Sequence, residues 1–114
     1  MKNYKAILVS HIKNKDKIDF VSKSFRNLNN KEILVRIKYS CINYKDALSI
    51  TGNTKIIREL SLTPGLDFSG IVIESNSKKF AKGDKVLATG SGLGESIDGG
   101  FSELIKLVSP YKTL

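Results

Sequence analysis

Residues 32–39 set Ile33, Val35, Ile37 and Tyr39 against Leu34, Arg36 and Lys38. That two-residue period predicts a strand burying one face. The apolar runs around it are equally short, and turn-forming groups close them: Thr51-Gly52-Asn53, Pro64-Gly65, Gly83-Asp84 and Asp98-Gly99-Gly100. Punctuation this dense confines the chain to short strands joined by turns rather than long helices. Residues 4–9 predict a first strand, and 17–21 return beside it after a polar turn over 11–16. Residues 66–73, 85–88 and 101–108 complete the set, the last with Phe101 and Glu103 alternating with Ser102 and Leu104. The expected fold is mainly β, a partly open barrel with one short helix, whose glycine bends relieve crowding at the corners.

The helix is predicted within 44–50. Asn43 is a helix cap, and Asp46 occupies the third helical position, where a carboxylate favours the exposed amides. Thr51-Gly52-Asn53 ends it. Asp67 interrupts the apolar run that follows Pro64-Gly65, and Gly70 permits close backbone approach inside that run.

Composition narrows the function classes. A chain of 114 residues with 40% apolar content suits one small core. One cysteine and one histidine exclude an internal disulfide and supply no zinc cluster, so a reducing cytoplasmic setting is expected. No stretch approaches about 20 apolar residues, which argues against a membrane span. The net charge of +8 is concentrated in residues 1–58, with 13 Lys/Arg against 4 Asp/Glu, while 59–114 hold 6 against 7. Such asymmetry either draws an anionic partner or reflects solvated lysines. No aromatic platform accompanies it, so nucleic acid is not the expected partner.

Several side chains admit two readings. The Asn43 amide suits holding a carbonyl oxygen, or simply caps the helix. The Tyr44 phenol donates to a phosphate, a ribose or a developing enolate, or packs as an ordinary aromatic. Lys45 neutralises a phosphate or reaches a reacting carbonyl, or is a solvated surface lysine. Asp46 has the more structural case, serving the helix N-terminus or orienting a neighbour. Asp67 needs hydrogen bonds or a positive partner to offset desolvation, with Lys45 and Arg58 in range of the pattern. Cys41 reads as a small buried strand residue and His11 as a polar loop residue. Gly90-Ser91-Gly92-Leu93-Gly94 lacks the strand-to-long-helix context of a nucleotide cradle and reads as a flexible rim loop.

Taken in order, Asn43-Tyr44-Lys45-Asp46-Ala47-Leu48, Thr51-Gly52, Lys55-Ile56-Ile57-Arg58, Pro64-Gly65-Leu66-Asp67-Phe68-Ser69-Gly70, Gly83-Asp84-Lys85-Val86, Gly92-Leu93-Gly94-Glu95 and Gly99-Gly100-Phe101-Ser102-Glu103 cover nearly the whole chain. The set resembles the N-terminal GroES-like part of the medium-chain dehydrogenase/reductases, in the zinc-free quinone oxidoreductase and acryloyl-CoA reductase branch.

The resemblance implies an incomplete GroES-like domain over 1–108, an atypical tail over 109–114, and an absent Rossmann domain. It implies NADPH-dependent reduction of an enoyl-CoA thioester or a quinone, with little activity or NADPH binding from this chain alone. It places Asn43 beside nicotinamide and substrate, Tyr44 near the cofactor pyrophosphate, and Lys45 where zinc enzymes carry a proton-relay hydroxyl. Asn43 and Leu66 stand where those enzymes have metal-binding cysteine and histidine, so no zinc is expected. Asp67 braces the cleft floor. The partners left open are a separate Rossmann-domain chain and a homodimer, with a non-catalytic basic interaction module as the rival reading.

Overall fold

The computed structural model describes residues 2–12, 15–51, 61–90, 93–94, 97–108 and 111–112. Strands β1 (Lys2–Ile12) and β2 (Lys15–Phe25) form an antiparallel hairpin paired from Lys2↔Phe25 to Ile12↔Lys15. The polar turn expected over 11–16 is therefore mostly ladder, and His11 is a strand residue opposite Asp16 rather than a loop residue. Polarity misled the reading because antiparallel pairing satisfies the backbone without requiring apolar side chains on a solvated face.

Strand β3 (Ile33–Ser40) leads into helix α1 (Tyr44–Thr51), whose start follows Asn43 as expected; Thr51, expected in the stopping turn, is still helical, and Gly52 and Asn53 lie outside the described residues. Then come β4 (Ser61–Leu62), β5 (Asp67–Ser75), β6 (Lys85–Thr89), β7 (Leu104–Leu107) and β8 (Tyr111–Lys112). The short strands β4 and β8 carry no pattern long enough to show a period. Yet Ser61 and Leu62 pair with β1, and Tyr111 and Lys112 extend β6.

Two antiparallel sheets result, ordered β2-β1-β4 and β7-β3-β5-β6-β8. Residues 101–103 stitch them together. Ile7 N donates to Phe101 O (2.9 Å), Glu103 N to Lys5 O (2.9 Å), and Ile37 N to Glu103 O (3.0 Å). Those bonds replace a regular ladder, so the strand expected over 101–108 is confined to Leu104–Leu107. The outer edges of β2 and β8 have no described strand beside them, and the barrel is open.

The core follows from strand register. Ile33, Val35, Phe68, Val72, Val86, Ala88, Leu93 and Ile105 form the main cluster. Leu34, on the opposite face of β3, is also fully buried, against Phe25, Leu28 and Leu104. The start of β3 is thus covered on both sides. Its far end differs, because Ile37 pairs with Gly70 but Tyr39 pairs with Ser69, leaving one extra residue on β3. Such a bulge reverses the facing of everything beyond it. Tyr39 is consequently 77% exposed, not part of the buried face its alternation suggested.

A polar knot pins the hairpin to the turn before β5. Lys23 Nζ donates to Thr63 Oγ1 and to Asp98 Oδ2, both at 3.0 Å, while Thr63 N donates to Asp98 Oδ1 (3.0 Å). Burial, and then the nearby Asp98 charge, raise the Tyr4 phenol above its ordinary 10.0. Phenolate forms first in the unfolded chain, which then binds fewer protons than the folded one. Stability is therefore expected to hold below pH 10 and fall as pH rises toward the folded value. Asp98→Asn is expected to bring the Tyr4 midpoint closer to 10.0. Ultraviolet difference titration checks this, and an unmoved midpoint would exclude Asp98 as a contributor.

Candidate functional site

The site grows out of the β3–α1 junction. Ser40 Oγ donates to Gly100 O (2.6 Å), anchoring the strand end. The chain leaves the sheet through residues 41–43. Cys41 is exposed there, contrary to the buried strand position expected, because β3 stops at Ser40. Asn43 O then accepts from Asp46 N (3.0 Å) and Ala47 N (3.2 Å), opening the helix.

Asp46 returns the favour. Its Oδ2 accepts from Asn43 N (2.9 Å), so the side-chain cap comes from Asp46, while Asn43 caps through its carbonyl rather than the side chain expected. Its Oδ1 accepts from Leu66 N (3.1 Å), in the turn that starts β5. With 1% of its surface exposed, Asp46 is a buried strut between helix and sheet. The sequence revealed its cap role through the asparagine three residues earlier; the second bond, reaching 20 positions along the chain, left no local signal.

That strut sets the next contact. Asn43 Nδ2 donates to Asp67 Oδ2. A carboxylate only accepts, so it fixes which end of the Asn43 amide faces it. The partner of Asp67 is thus the helix cap itself, and Arg58 lies outside the described residues. Tyr44 (79% exposed) and Lys45 occupy the first two helical positions with their side chains outward. Ile42 (76%) and Tyr39 (77%) stand alongside in sequence, also exposed. The structure therefore joins Asn43 to Asp67 and presents Tyr44 and Lys45 on the surface beside them.

The larger hollows lie elsewhere. Cavities of about 460 and 490 Å³ are lined by none of Asn43, Tyr44, Lys45 or Asp67. Asn43 and Asp67 themselves are half-buried. Gly90 and Gly94 take positive φ of 64° and 70° on a loop that closes through a Leu93–Ile97 bridge rather than opening a helix. Gly92 lies outside the described residues. No group of three or more His, Cys, Asp or Glu side chains converges among the described residues.

The model of the alcohol dehydrogenase GroES-like domain matches residues 29–110. The chain belongs to that family. Within it, the similarity points to the quinone oxidoreductase and acryloyl-CoA reductase branch of the medium-chain dehydrogenase/reductases. The chain is 47% identical over 72 residues to a probable acrylyl-CoA reductase of Escherichia coli, covering 63% of this chain and 22% of the relative. It is 48% identical over 71 residues to a putative quinone oxidoreductase of Bacillus subtilis, covering 62% and 22%. The crystal structure of Bacillus subtilis protein YhfP with NAD bound superposes with a TM-score of 0.86 at 34% identity, covering 99% of this chain and 34% of that one. A Salmonella enterica oxidoreductase in complex with NADP gives 0.79 at 37% identity, covering 88% and 31%. The chain thus spans about a fifth of the curated relatives' length.

Proposed function

We propose that this chain forms one flank of an NADPH-dependent, zinc-independent reductase of enoyl-CoA thioesters or quinones. The observation that carries the reading is the Asn43–Asp67 pair held by buried Asp46 beside exposed Tyr44 and Lys45. It is supported by the similarity to acrylyl-CoA and quinone reductases and to nucleotide-bound structures. The donor set fits a nicotinamide dinucleotide: a primary amide, a phenol and an ammonium follow one another at the start of α1. Tyr44 and Lys45 would hold its phosphates and ribose, with Asn43 at the nicotinamide end. When bound, NADPH would supply hydride for the β-carbon of the conjugated substrate.

The chain's own residues handle charge and orientation. The Asn43 amide, fixed by Asp67, offers hydrogen bonding to the substrate carbonyl, where negative charge develops. The Lys45 ammonium adds favourable charge at that oxygen or at a phosphate. Asp67 acts through Asn43. Tyr39, Ile42 and Tyr44, exposed and close in sequence to Asn43, offer apolar area suited to covering by a second body. That body would be a Rossmann domain, from further residues of one polypeptide or from a separate chain, and a homodimer is the other assembly in view. The unit would run over 1–108, with 109–114 as its tail. It would work in the cytoplasm without nucleic-acid or membrane partners. No described helix is long and apolar enough to cross a membrane.

Joining this chain to the remaining part of the Bacillus subtilis relative is expected to restore NADPH oxidation with acryloyl-CoA or a quinone. The 114-residue chain alone is expected to give none. Asn43→Ala in the joined protein should lower kcat/KM roughly 100-fold, the scale of one lost oxyanion donor. Asp67→Asn should lower it less, with kcat falling more than KM rises. Saturable NADPH binding by the lone chain, lost on changing Tyr44 or Lys45, would overturn the one-flank reading.

A further inference from the structure

At the end of the barrel away from Asn43, the link before β3 and the turn after β5 enclose a groove of about 490 Å³. Lys31, Lys78 and Lys79 all line it, with Asn76 and Ser77 between them, and no carboxylate does. The eight residues of β3 separate it from the Asn43 site by about 26 Å at strand rise.

The groove has a fixed frame. Asn76 Nδ2 donates to Leu28 O (3.0 Å) and Asn29 O (3.3 Å), and Asn76 N donates to Glu32 O (2.9 Å), so the two walls are bonded to each other. Ser75 Oγ donates to Phe80 O (2.6 Å), and Lys79 N donates to Ser77 Oγ (3.1 Å), shaping the turn that carries the lysines. Lys31 has φ of 66°, the only non-glycine residue at positive φ among the described residues. A left-handed lysine costs about 1–2 kcal/mol.

No ion pair joins any of the three ammonium groups to a described carboxylate; the described salt bridges are those of Lys17 and Lys23. Three like charges on one concave wall repel each other, and a strained backbone holds one of them there. A bound anion offsets both penalties, and concavity concentrates the positive potential it meets.

We infer that this groove binds a small, multiply charged phosphate-bearing anion. The volume admits a di- or triphosphate group. The donors are point-charge ammonium groups supplemented by the Ser77 hydroxyl, which suit phosphate oxygens. The wall lacks exposed aromatic side chains for stacking bases, which favours a small polyphosphate over RNA.

Inorganic tripolyphosphate titrated into the full chain is the probe, followed by backbone amide shifts and by thermal unfolding. Saturable binding is expected, with shifts centred on residues 30–31 and 76–79 and a higher unfolding midpoint. Lys78→Gln/Lys79→Gln is expected to weaken it about tenfold, the loss of two charge-assisted contacts, whereas Lys5→Gln/Lys38→Gln changes it less than about twofold. Lys31→Gly should weaken binding while raising the midpoint of the unliganded chain, since it removes one charge and the backbone strain together. The inference fails if both double variants weaken binding equally, if the shifts spread over all surface lysines, or if no saturation is reached. Preference for single-stranded RNA over tripolyphosphate in the same groove would also overturn it.

Discussion

Gly99→Ala is expected to destabilise this chain by about 4 kcal/mol, in the range reserved for changes that disrupt the core itself. A Cβ on Gly99 would lie 2.1 Å from Gly65 O and 2.8 Å from both Gly65 C and Pro64 O. All three are backbone atoms, so no side chain can swing aside. They cannot withdraw as a group either. Gly99 N donates to Thr63 O (2.8 Å), Gly100 N to Gly65 O (2.9 Å), and Phe101 N to Pro64 O (3.1 Å). Forcing the two segments apart breaks this run of bonds, each worth roughly 1 kcal/mol net, and leaves buried backbone groups unpaired at further cost. It also disturbs the adjoining residues 101–103 that join the two sheets. Gly83→Ala is the comparison: Gly83 has φ of 96° but nothing within 4 Å of an added Cβ, so only the conformational penalty of about 1 kcal/mol applies. Urea unfolding followed by circular dichroism measures both. Equal small losses for the two variants would show that residues 63–65 and 99–101 are not locked together.

The same contacts explain what the sequence could and could not reveal. Read locally, the glycines over 90–94 look like a flexible loop and Gly99-Gly100 like a turn, because glycine enrichment has two opposite causes. One is freedom to move; the other is two backbones packed too closely for any Cβ. Gly94 and Gly99 belong to the second class, both meeting the Pro64-Gly65 turn. Only the distant partner distinguishes them. The alternation in β3 was legible, and so were α1 and its cap, since period and capping are local properties. Tyr39 escaped because a single bulge beyond Ile37 reverses facing without altering the sequence pattern. Cys41 escaped because β3 ends at Ser40 and residue 41 falls in the exposed link to α1. Of the candidate site, a polar cluster at a strand–helix junction singled out Asn43, Tyr44 and Lys45, and the structure joins Asn43 of these to Asp67. The knot of Lys23, Thr63 and Asp98 was invisible, its members lying 35 to 75 positions apart.

Asp46 gives the second large expected effect, and the sign of its substitution discriminates between two accounts of the residue. If Asp46 merely sits in a helix, Asp46→Ala should stabilise, because alanine is the better helix former by roughly 0.5 kcal/mol. If it is the buried strut seen here, the same change strips acceptors from Asn43 N and Leu66 N, in a position only 1% exposed. A net loss of about 3 kcal/mol is then expected, since each buried unpaired donor costs about 1–3 kcal/mol and helix propensity returns a fraction of it. Asp46→Asn is sharper. An amide of the same shape must turn its NH2 toward one of two backbone N–H groups, so one bond survives and the other becomes a donor–donor contact. The expected loss is about 2 kcal/mol, with faster hydrogen exchange at either Asn43 or Leu66 but not at Val72, whose amide is held independently by Asp84 O (2.9 Å). Because Asn43 also carries the contact to Asp67, misplacing it should lower turnover in the joined enzyme even at temperatures where Asp46→Asn remains folded. Unchanged exchange at both Asn43 and Leu66, together with unchanged stability, would mean that the helix holds its place without this carboxylate.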